Sequence, residues 1–511
     1  MVCIVDFGIY RPVVLLSNFL FLFPKKWYTV FIMRKRTKIV CTLGPASSSL
    51  ATLEKMVLAG MNCARLNFAH GTHESHLQII KNLKIVSKKT GKTITIIQDL
   101  EGPKIRVGEL PKEGIKLKDK TEIKFDTSLT KMSGAIIPIR FSDLHKYLKK
   151  GERMFFDDGR MGAVIKSVVD TRIIAEVING GVLQSNKGIN LPDSKLGISA
   201  LSDKDKEDLK FGVKNKVDIV DLSFVNSAQD ILDLRFLIEE YEKKFKIKSI
   251  QPIRIIAKIE RQQAVKNIKE ILEVVDGIMI ARGDLGVEIP PEKVPLVQKQ
   301  LIDECLLMAK PVIVATQMLD SMQNNPRPTR AEVSDVANAV IEHTDAVMLS
   351  NETSVGRFPV ETVQMMASII METENSVYDD LENSKYVKKQ KRIDEVVSEM
   401  SKMLAQKVGA KIILAASITG ETARLISRHR PELPIVVATS TERVRNQLNL
   451  SWGVEPFVLN PCYTIEELVQ RSMLFVKKLK LVKKGDKVIV VSGEPVGQAG
   501  HVNLLEVREV K

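Results

Sequence analysis

Cysteine is scarce and dispersed. Cys3, Cys41, Cys63, Cys305 and Cys462 are the five in 511 residues, and no two form a CxxC pair. That excludes a disulfide framework and a cysteine zinc site, and reduced thiols fit a cytoplasmic protein. Aromatic residues are few as well (2 Trp, 7 Tyr, 17 Phe). With no RNP-like, zinc-finger or basic-zipper pattern, no nucleic-acid partner is expected. A membrane span is missing too. The apolar run Val13–Phe23 lies between Arg11-Pro12 and Pro24-Lys25-Lys26, too short to cross a bilayer and without the leader or cleavage site of a secretory signal. Met33, followed at once by Arg34-Lys35-Arg36 and a strand pattern, is the expected natural start, which leaves 1–32 as an extension outside the fold.

What remains is ample. Hydrophobic residues make up 44 % and charged residues 27 %, enough for buried cores, and the length suggests about three domains. The net charge of +14 favours phosphorylated partners through long-range steering, or simply reflects a lysine-rich surface.

From Thr37 onward, short Val/Ile/Leu runs alternate with amphipathic segments of helix length. The runs are Thr37–Gly44, Ala64–Ala69, Thr93–Leu100, Val217–Val225, Arg254–Glu260, Gly277–Gly286, Pro311–Leu319 and Ala346–Thr353. Near-continuous apolar content marks strands covered on both faces, and eight strand–helix units is the count of a (β/α)8 TIM barrel over 33–102 and 201–374. The third unit is interrupted. Over 103–200 the pattern becomes strict alternation, as in Ile115-Lys116-Leu117-Lys118, with turns at Asp157-Asp158-Gly159 and Asn179-Gly180-Gly181. This predicts an inserted small β-barrel on a strand-to-helix loop, where it can act as a lid. Residues 375–511 alternate again and predict an open α/β domain.

Polar residues end the barrel strands in register: Thr42, Arg65 with Asn67, Asp99, Ser223, Lys258 with Glu260, Asp284, Thr316 and Glu352. Catalytic groups of such barrels gather at the carboxyl ends of the strands. Lys258 and Glu260 are two apart and share a face, and Asp284 offers a second carboxylate from the next strand. Two carboxylates with open water positions suit magnesium; a buried Lys–Glu ion pair is the alternative. Arg65, Arg106 and Lys104 crowd the region of Lys258, which implies a doubly anionic substrate. No P-loop occurs, so a nucleotide would bind by another route. His70, after Phe68 and Ala69, reads by itself as a structural histidine.

These residues resemble the pyruvate kinase family from Thr37 to the C-terminus. The matching stretches are Thr37–Ser47, Gly60–Gly71, Ile256–Glu260, Met279–Gly286, Ala315–Leu319 and Pro328–Asn338. The resemblance implies transfer of the phosphoryl group of phosphoenolpyruvate to ADP, giving pyruvate and ATP in the last step of glycolysis. It implies that Lys258 neutralises the phosphoryl group in flight and the developing enolate, and that Arg65 grips the phosphate. Glu260 and Asp284 would hold magnesium, with manganese as a substitute. Thr316 would lie near the enolate carbon, Gly283 and Asp284 would hold the substrate carboxylate, and Ser223 would sit beside the site. Thr42, Pro45, Asn67, His70, Arg106 and the lid residue Lys187 match positions that contact nucleotide. Ser417, Thr419, Gly420 and Thr422 match the family's effector loop, for a sugar phosphate or AMP, and a homotetramer is implied.

The chain departs from the family at several positions. Ala69 and Leu100 replace oxygen ligands of potassium, which leaves Asn67 and Asp99 as an incomplete cage. Lys104 replaces a glutamate, and its ammonium can stand in for the monovalent cation, or pair with Asp99. Asn351, Asp193 and Ser75 also differ from the family pattern. Potassium independence is therefore expected. Two other readings remain at this stage: a magnesium-dependent lyase acting on enolpyruvate or pyruvate, and a basic scaffold that binds RNA or phosphometabolites.

Overall fold

A computed structural model describes residues 35–511 except 195, 196, 198, 248, 250, 382–391, 494–499 and 501. The chain divides into two units, Met1–Arg34 and Lys35–Lys511. The first lies outside the described residues, and with it the apolar run, Cys3 and the expected start at Met33.

Eight parallel strands close into a barrel: β1 (Lys38–Leu43), β2 (Cys63–Asn67), β3 (Thr95–Asp99), β4 (Ile219–Leu222), β5 (Arg254–Ile259), β6 (Gly277–Ala281), β7 (Val312–Ala315) and β8 (Ala346–Leu349), with β8 pairing back to β1. Alternate residues face opposite ways. Val40, Cys63, Ile97, Ile219, Ile256, Met279, Ile313 and Ala346 fill the interior, while Ile39, Ala64, Val220, Ala257 and Ile278 pack outward under the helices. This two-sided burial is why the strands read as unbroken apolar runs.

Several runs overshoot. The sixth ends at Ala281, and Arg282–Glu288 is a helix, so Asp284 stands on the first turn of that helix and not on a strand. The eighth ends at Leu349, before the short helix Asn351–Ser354. In both places buried residues continue past the strand, and apolar content alone cannot mark the change of period.

Between β3 and the helix Asp203–Asn215 the chain leaves the barrel for strands from Ile115 to Asn190, arranged in a six-stranded and a two-stranded sheet and antiparallel except where Glu122–Asp126 pairs parallel with Ile136–Pro138. These enclose their own core, in which Phe125 and Phe156 stack with centroids 5.4 Å apart.

Beyond the helix Ile393–Val408 lie β9 (Ile412–Ala416), β10 (Ile435–Thr439), β11 (Val454–Val458), β12 (Lys487–Ser492) and β13 (Leu504–Glu509), in sheet order β11-β10-β9-β12-β13. β13 runs antiparallel at the edge; its half-exposed residues carry no apolar run. Among the described residues, no helix is long and apolar enough to cross a membrane.

Candidate active site

Interior parity carries each barrel strand's last inward residues to one rim. Arg65 donates through Nη1 to Thr42 Oγ1 (2.8 Å) and through Nε to Asp99 Oδ2 (2.7 Å), and its Nη2 also bonds that oxygen. Lys258 Nζ lies 2.8 Å from Glu260 Oε1 and 3.5 Å from Asp99 Oδ1, and donates to Ser223 Oγ at 2.8 Å. Ser223 Oγ donates to the Leu100 carbonyl (2.6 Å), and the other oxygen of Glu260 accepts the Phe224 N–H (2.9 Å). Three strands, β2, β3 and β5, thus supply one chain of buried ions, to which Thr42 on β1 and Ser223 just after β4 add hydroxyls.

The charges set one another's protonation. Burial works against the Lys258 ammonium, but Asp99 and Glu260 outweigh it and hold the pKa above the usual lysine value. Burial likewise disfavours the Asp99 carboxylate, and Arg65 and Lys258 overcome it, so Asp99 stays ionised. Asp284 moves the other way: burial and the charge of Glu260 push its carboxyl up to about 6, while Lys258 and Lys104 pull it down. Two mutually repelling carboxylates, one already bonded to a backbone amide, are a donor set that a hard divalent cation would relieve. Among the described residues no cluster of three or more His, Cys, Asp or Glu could hold a metal. This pair would therefore leave most coordination positions to water and substrate.

Thr316 follows β7 at φ 73°, and Gln317 at φ 54°. A β-branched residue in the left-handed region is strained, and such strain persists only where the surroundings fix it. Here Thr316 Oγ1 accepts the Gly283 N–H (2.7 Å) and donates to the Ala315 carbonyl (2.6 Å). Arg282 Nη2 donates to the Thr316 carbonyl (2.8 Å), and the guanidinium is itself clamped at 2.6 Å by both oxygens of Asp335. Sequence reasoning passed over this clamp. The signal available was an arginine directly after a buried strand, two residues before the acid already singled out.

It passed over Asp221 as well. This residue is fully buried on the interior face of β4, in register with Asp99, and neither carboxylate oxygen has a hydrogen-bond partner in the structure. Burial first, and Asp99 second, push its pKa well up. The signal was parity: Asp221 lies two before Ser223.

Glu352 is brought elsewhere. It turns back to accept the N–H groups of Leu319 (3.2 Å) and Ser350 (2.7 Å), which is structural work at the loops after β7 and β8. The positions expected to meet nucleotide are spread around the rim. Pro45 and His70 are exposed, and Asn67 Oδ1 accepts the Ala69 N–H (3.1 Å). Arg106 is held by Glu101 (2.8 Å) and the Asn186 carbonyl (3.2 Å), and Lys187 Nζ pairs with Asp157 at 2.6 Å within the inserted domain. Lys104 does not take the Asp99 pairing: Arg65 and Lys258 occupy that carboxylate, while the Lys104 stem lies along Gly188 and its charge acts on Asp284.

A second cavity, of about 300 Å³, opens in the C-terminal domain and is lined by Ser417, Thr419 and Thr422 together with Thr439, Asn460 and Cys462. Gly420 (φ 85°) makes the turn into the helix Glu421–Ser427. The loop touches the barrel directly, since the Thr419 carbonyl accepts from Arg254 Nη2 (2.9 Å), and Arg254 begins β5, the strand that carries Lys258.

Comparison with known proteins gives a consistent result. A family model described as the pyruvate kinase barrel domain matches residues 34–363, and one described as the pyruvate kinase alpha/beta domain matches 395–508. A pyruvate kinase of Geobacillus stearothermophilus is 40 % identical over 481 residues, covering 94 % of this chain and 81 % of its own. One from Clostridium acetobutylicum is 39 % identical over 485 residues, covering 93 % of this chain and all of its own. A crystal structure of a pyruvate kinase from Cryptosporidium parvum superposes with a TM-score of 0.87 at 36 % identity, covering 93 % of this chain and 96 % of that one.

Proposed function

Since the chain belongs to the pyruvate kinase family, and is an enzyme of that activity, we propose that the ion chain at the barrel rim is what moves the phosphoryl group from phosphoenolpyruvate to ADP. The observation that carries the assignment is Lys258, an ammonium kept charged between Asp99 and Glu260 and aimed into the rim. As the bond from phosphorus to the enol oxygen breaks and a bond to the terminal ADP oxygen forms, negative charge builds on the equatorial oxygens and on the enolate. A preorganised cation stabilises that charge without reorganisation at the moment of reaction.

Arg65, held rigid by Thr42 and Asp99, grips the same phosphate. Gly283, Asp284 and Ser223 line the substrate side, and Thr316 sits where the enolate carbon takes up its proton to give pyruvate. Glu260 and Asp284 would hold magnesium or manganese, which supplies positive charge to the substrate carboxylate and phosphate oxygens. Thr42, Pro45, Asn67, His70, Arg106 and Lys187 serve the nucleotide. Incubating the protein with magnesium, ADP and phosphoenolpyruvate and following phosphorus resonances for ATP and proton resonances for pyruvate should give the two in equal amounts; phosphate release without ATP would refute the assignment.

Potassium is not required on this reading. Leu100 and Ala69 offer no oxygen side chain, Asp99 is already saturated by cations, and the Lys104 charge faces Asp284. Turnover in tetramethylammonium should equal turnover in potassium chloride at the same ionic strength, and strong activation of the wild type by potassium would remove Lys104 from this role. The cavity at Ser417, Thr419, Gly420 and Thr422 takes a sugar phosphate or AMP as effector. Assembly as a homotetramer is supported by Ile393, Val396, Met400 and Met403, which are exposed along one stripe of the helix Ile393–Val408. A cytoplasmic, glycolytic setting accords with Cys41, Cys63, Cys305 and Cys462 all being free thiols.

A further inference from the structure

A polar groove of about 450 Å³ lies between the C-terminal ends of two barrel helices and the helix Glu442–Leu448 of the C-terminal domain. It is distinct from both sites above. Lys84 and Lys88 line it from one face of the helix His73–Thr90, Lys92 follows that helix's Gly91 cap, and Lys216 caps the helix Asp203–Asn215 in a left-handed conformation. Arg445 faces them from the C-terminal domain.

Lysines outside the groove differ in their pairing: Lys81 and Lys214, on the same two helices, have no ion partner among the described residues, while others do. Lys89 next door is paired with Glu54 at 2.7 Å, and Lys204, Lys206 and Lys210 all have acidic partners on their own helix. Lys84, Lys88, Lys92 and Lys216 make no side-chain ion pair or hydrogen bond with any described residue. The groove's two acids do not compensate. Asp218 turns inward, accepting the Ile96 N–H (2.8 Å) and Asn446 Nδ2 (3.1 Å), and Glu442 lies 3.8 Å from Arg445. Four uncompensated ammonium groups around one concavity repel each other, and only a multivalent anion in the groove relieves all of them together.

We infer that this interdomain groove binds a small organic polyphosphate, a metabolite carrying at least two phosphate groups. The cations stand on both walls, Lys84 and Lys88 on the barrel helix and Arg445 on the C-terminal domain, so a ligand with two or more phosphates matches them better than one with a single phosphate. Occupancy would be felt at the rim. The Asn446 carbonyl accepts from Thr95 Oγ1 (2.6 Å), at the start of the strand that ends in Asp99, and Asp218 directly precedes β4. A ligand that clamps Arg445 to the barrel lysines therefore stiffens this dock. Binding itself does not depend on the catalytic reading.

Tripolyphosphate is a suitable probe, titrated calorimetrically into the full chain without divalent metal at low salt. Wild type should bind it saturably, with affinity falling as ionic strength rises. Lys88→Glu/Lys92→Glu should weaken it by about tenfold, since two attractions become repulsions. Lys84→Ala/Lys88→Ala, a milder change, should weaken it several-fold. Thr422→Ala should bind like wild type. The inference is overturned if both double variants bind like wild type, if Thr422→Ala alone abolishes binding, or if orthophosphate binds as tightly as tripolyphosphate.

Discussion

The two ends of the same barrel treat charge in opposite ways. At the carboxyl rim, Arg65, Asp99, Lys258 and Glu260 bond to one another, and Asp284 is left with a raised pKa and an unfilled role. At the amino end, buried ions and amides are spent on the C-terminal domain. Arg430 meets Asp345 at 2.8 Å, Asp345 also accepts the Trp452 N–H (2.9 Å), and the Trp452 ring lies between the guanidinium groups of Arg36 and Arg430. Gln447 and Asn449 donate to the backbone carbonyls of Asp218, Pro252, Asn62 and Thr93. The amino end spends its hydrogen bonds on holding the domains together, although the buried Trp452 Nε1 finds no partner. The rim keeps ions balanced against one another, with the Asp284 carboxyl pushed up by burial and by the charge of Glu260. Docking the domains and building the rim thus draw on the same residue types, separated by one strand length: on β5, Arg254 reaches the C-terminal domain and Lys258 reaches the rim.

The largest expected effect that would sharpen this contrast lies at the docking end. Asp345→Ala leaves Arg430 buried without its partner and should destabilise the protein by about 3–5 kcal/mol, read by denaturant unfolding. Turnover of the folded fraction should stay near wild type. A stable variant with lost turnover would mean that the amino end takes part in chemistry.

An intermediate effect belongs to the rim. A group with a raised pKa keeps its proton up to about 6, where an ordinary carboxyl would have lost it, so at Asp284 a divalent cation must displace that proton. Apparent magnesium affinity should fall by up to about tenfold per pH unit below 6 and level off above it. The sign for stability is the opposite: without cation, the contribution of this group is present at low pH and is lost as the pH rises through 6. Affinity independent of pH between 5 and 7 would show that Asp284 is not a ligand.

The smallest effect crosses between the ends. Arg254→Met removes the bond to the Thr419 carbonyl and should leave basal turnover within about twofold. It should blunt any response to sugar phosphates or AMP, measured as the shift in half-saturation for phosphoenolpyruvate. An undiminished response would separate the effector loop from β5.

The barrel was legible because its strands are covered on both faces and because Lys258, Glu260 and Ser223 share interior parity. The ends of the strands were not: Arg282 and Asn351 begin helices in which buried residues such as Leu285 and Thr353 continue past the strand. Arg282–Asp335 and Arg430–Asp345 join residues 53 and 85 positions apart, and no local pattern announces such pairs. Asp221 could have been found by counting in twos from Ser223. β13 could not, because its residues alternate between half-buried and exposed with no apolar run.

Lys258 decides the account. Pyruvate release by folded Lys258→Met, a change of similar length without the charge, should fall by about 10²–10³ in kcat while substrate still binds. Turnover near wild type in that variant would contradict the claim that the rim's ion chain carries the phosphoryl transfer.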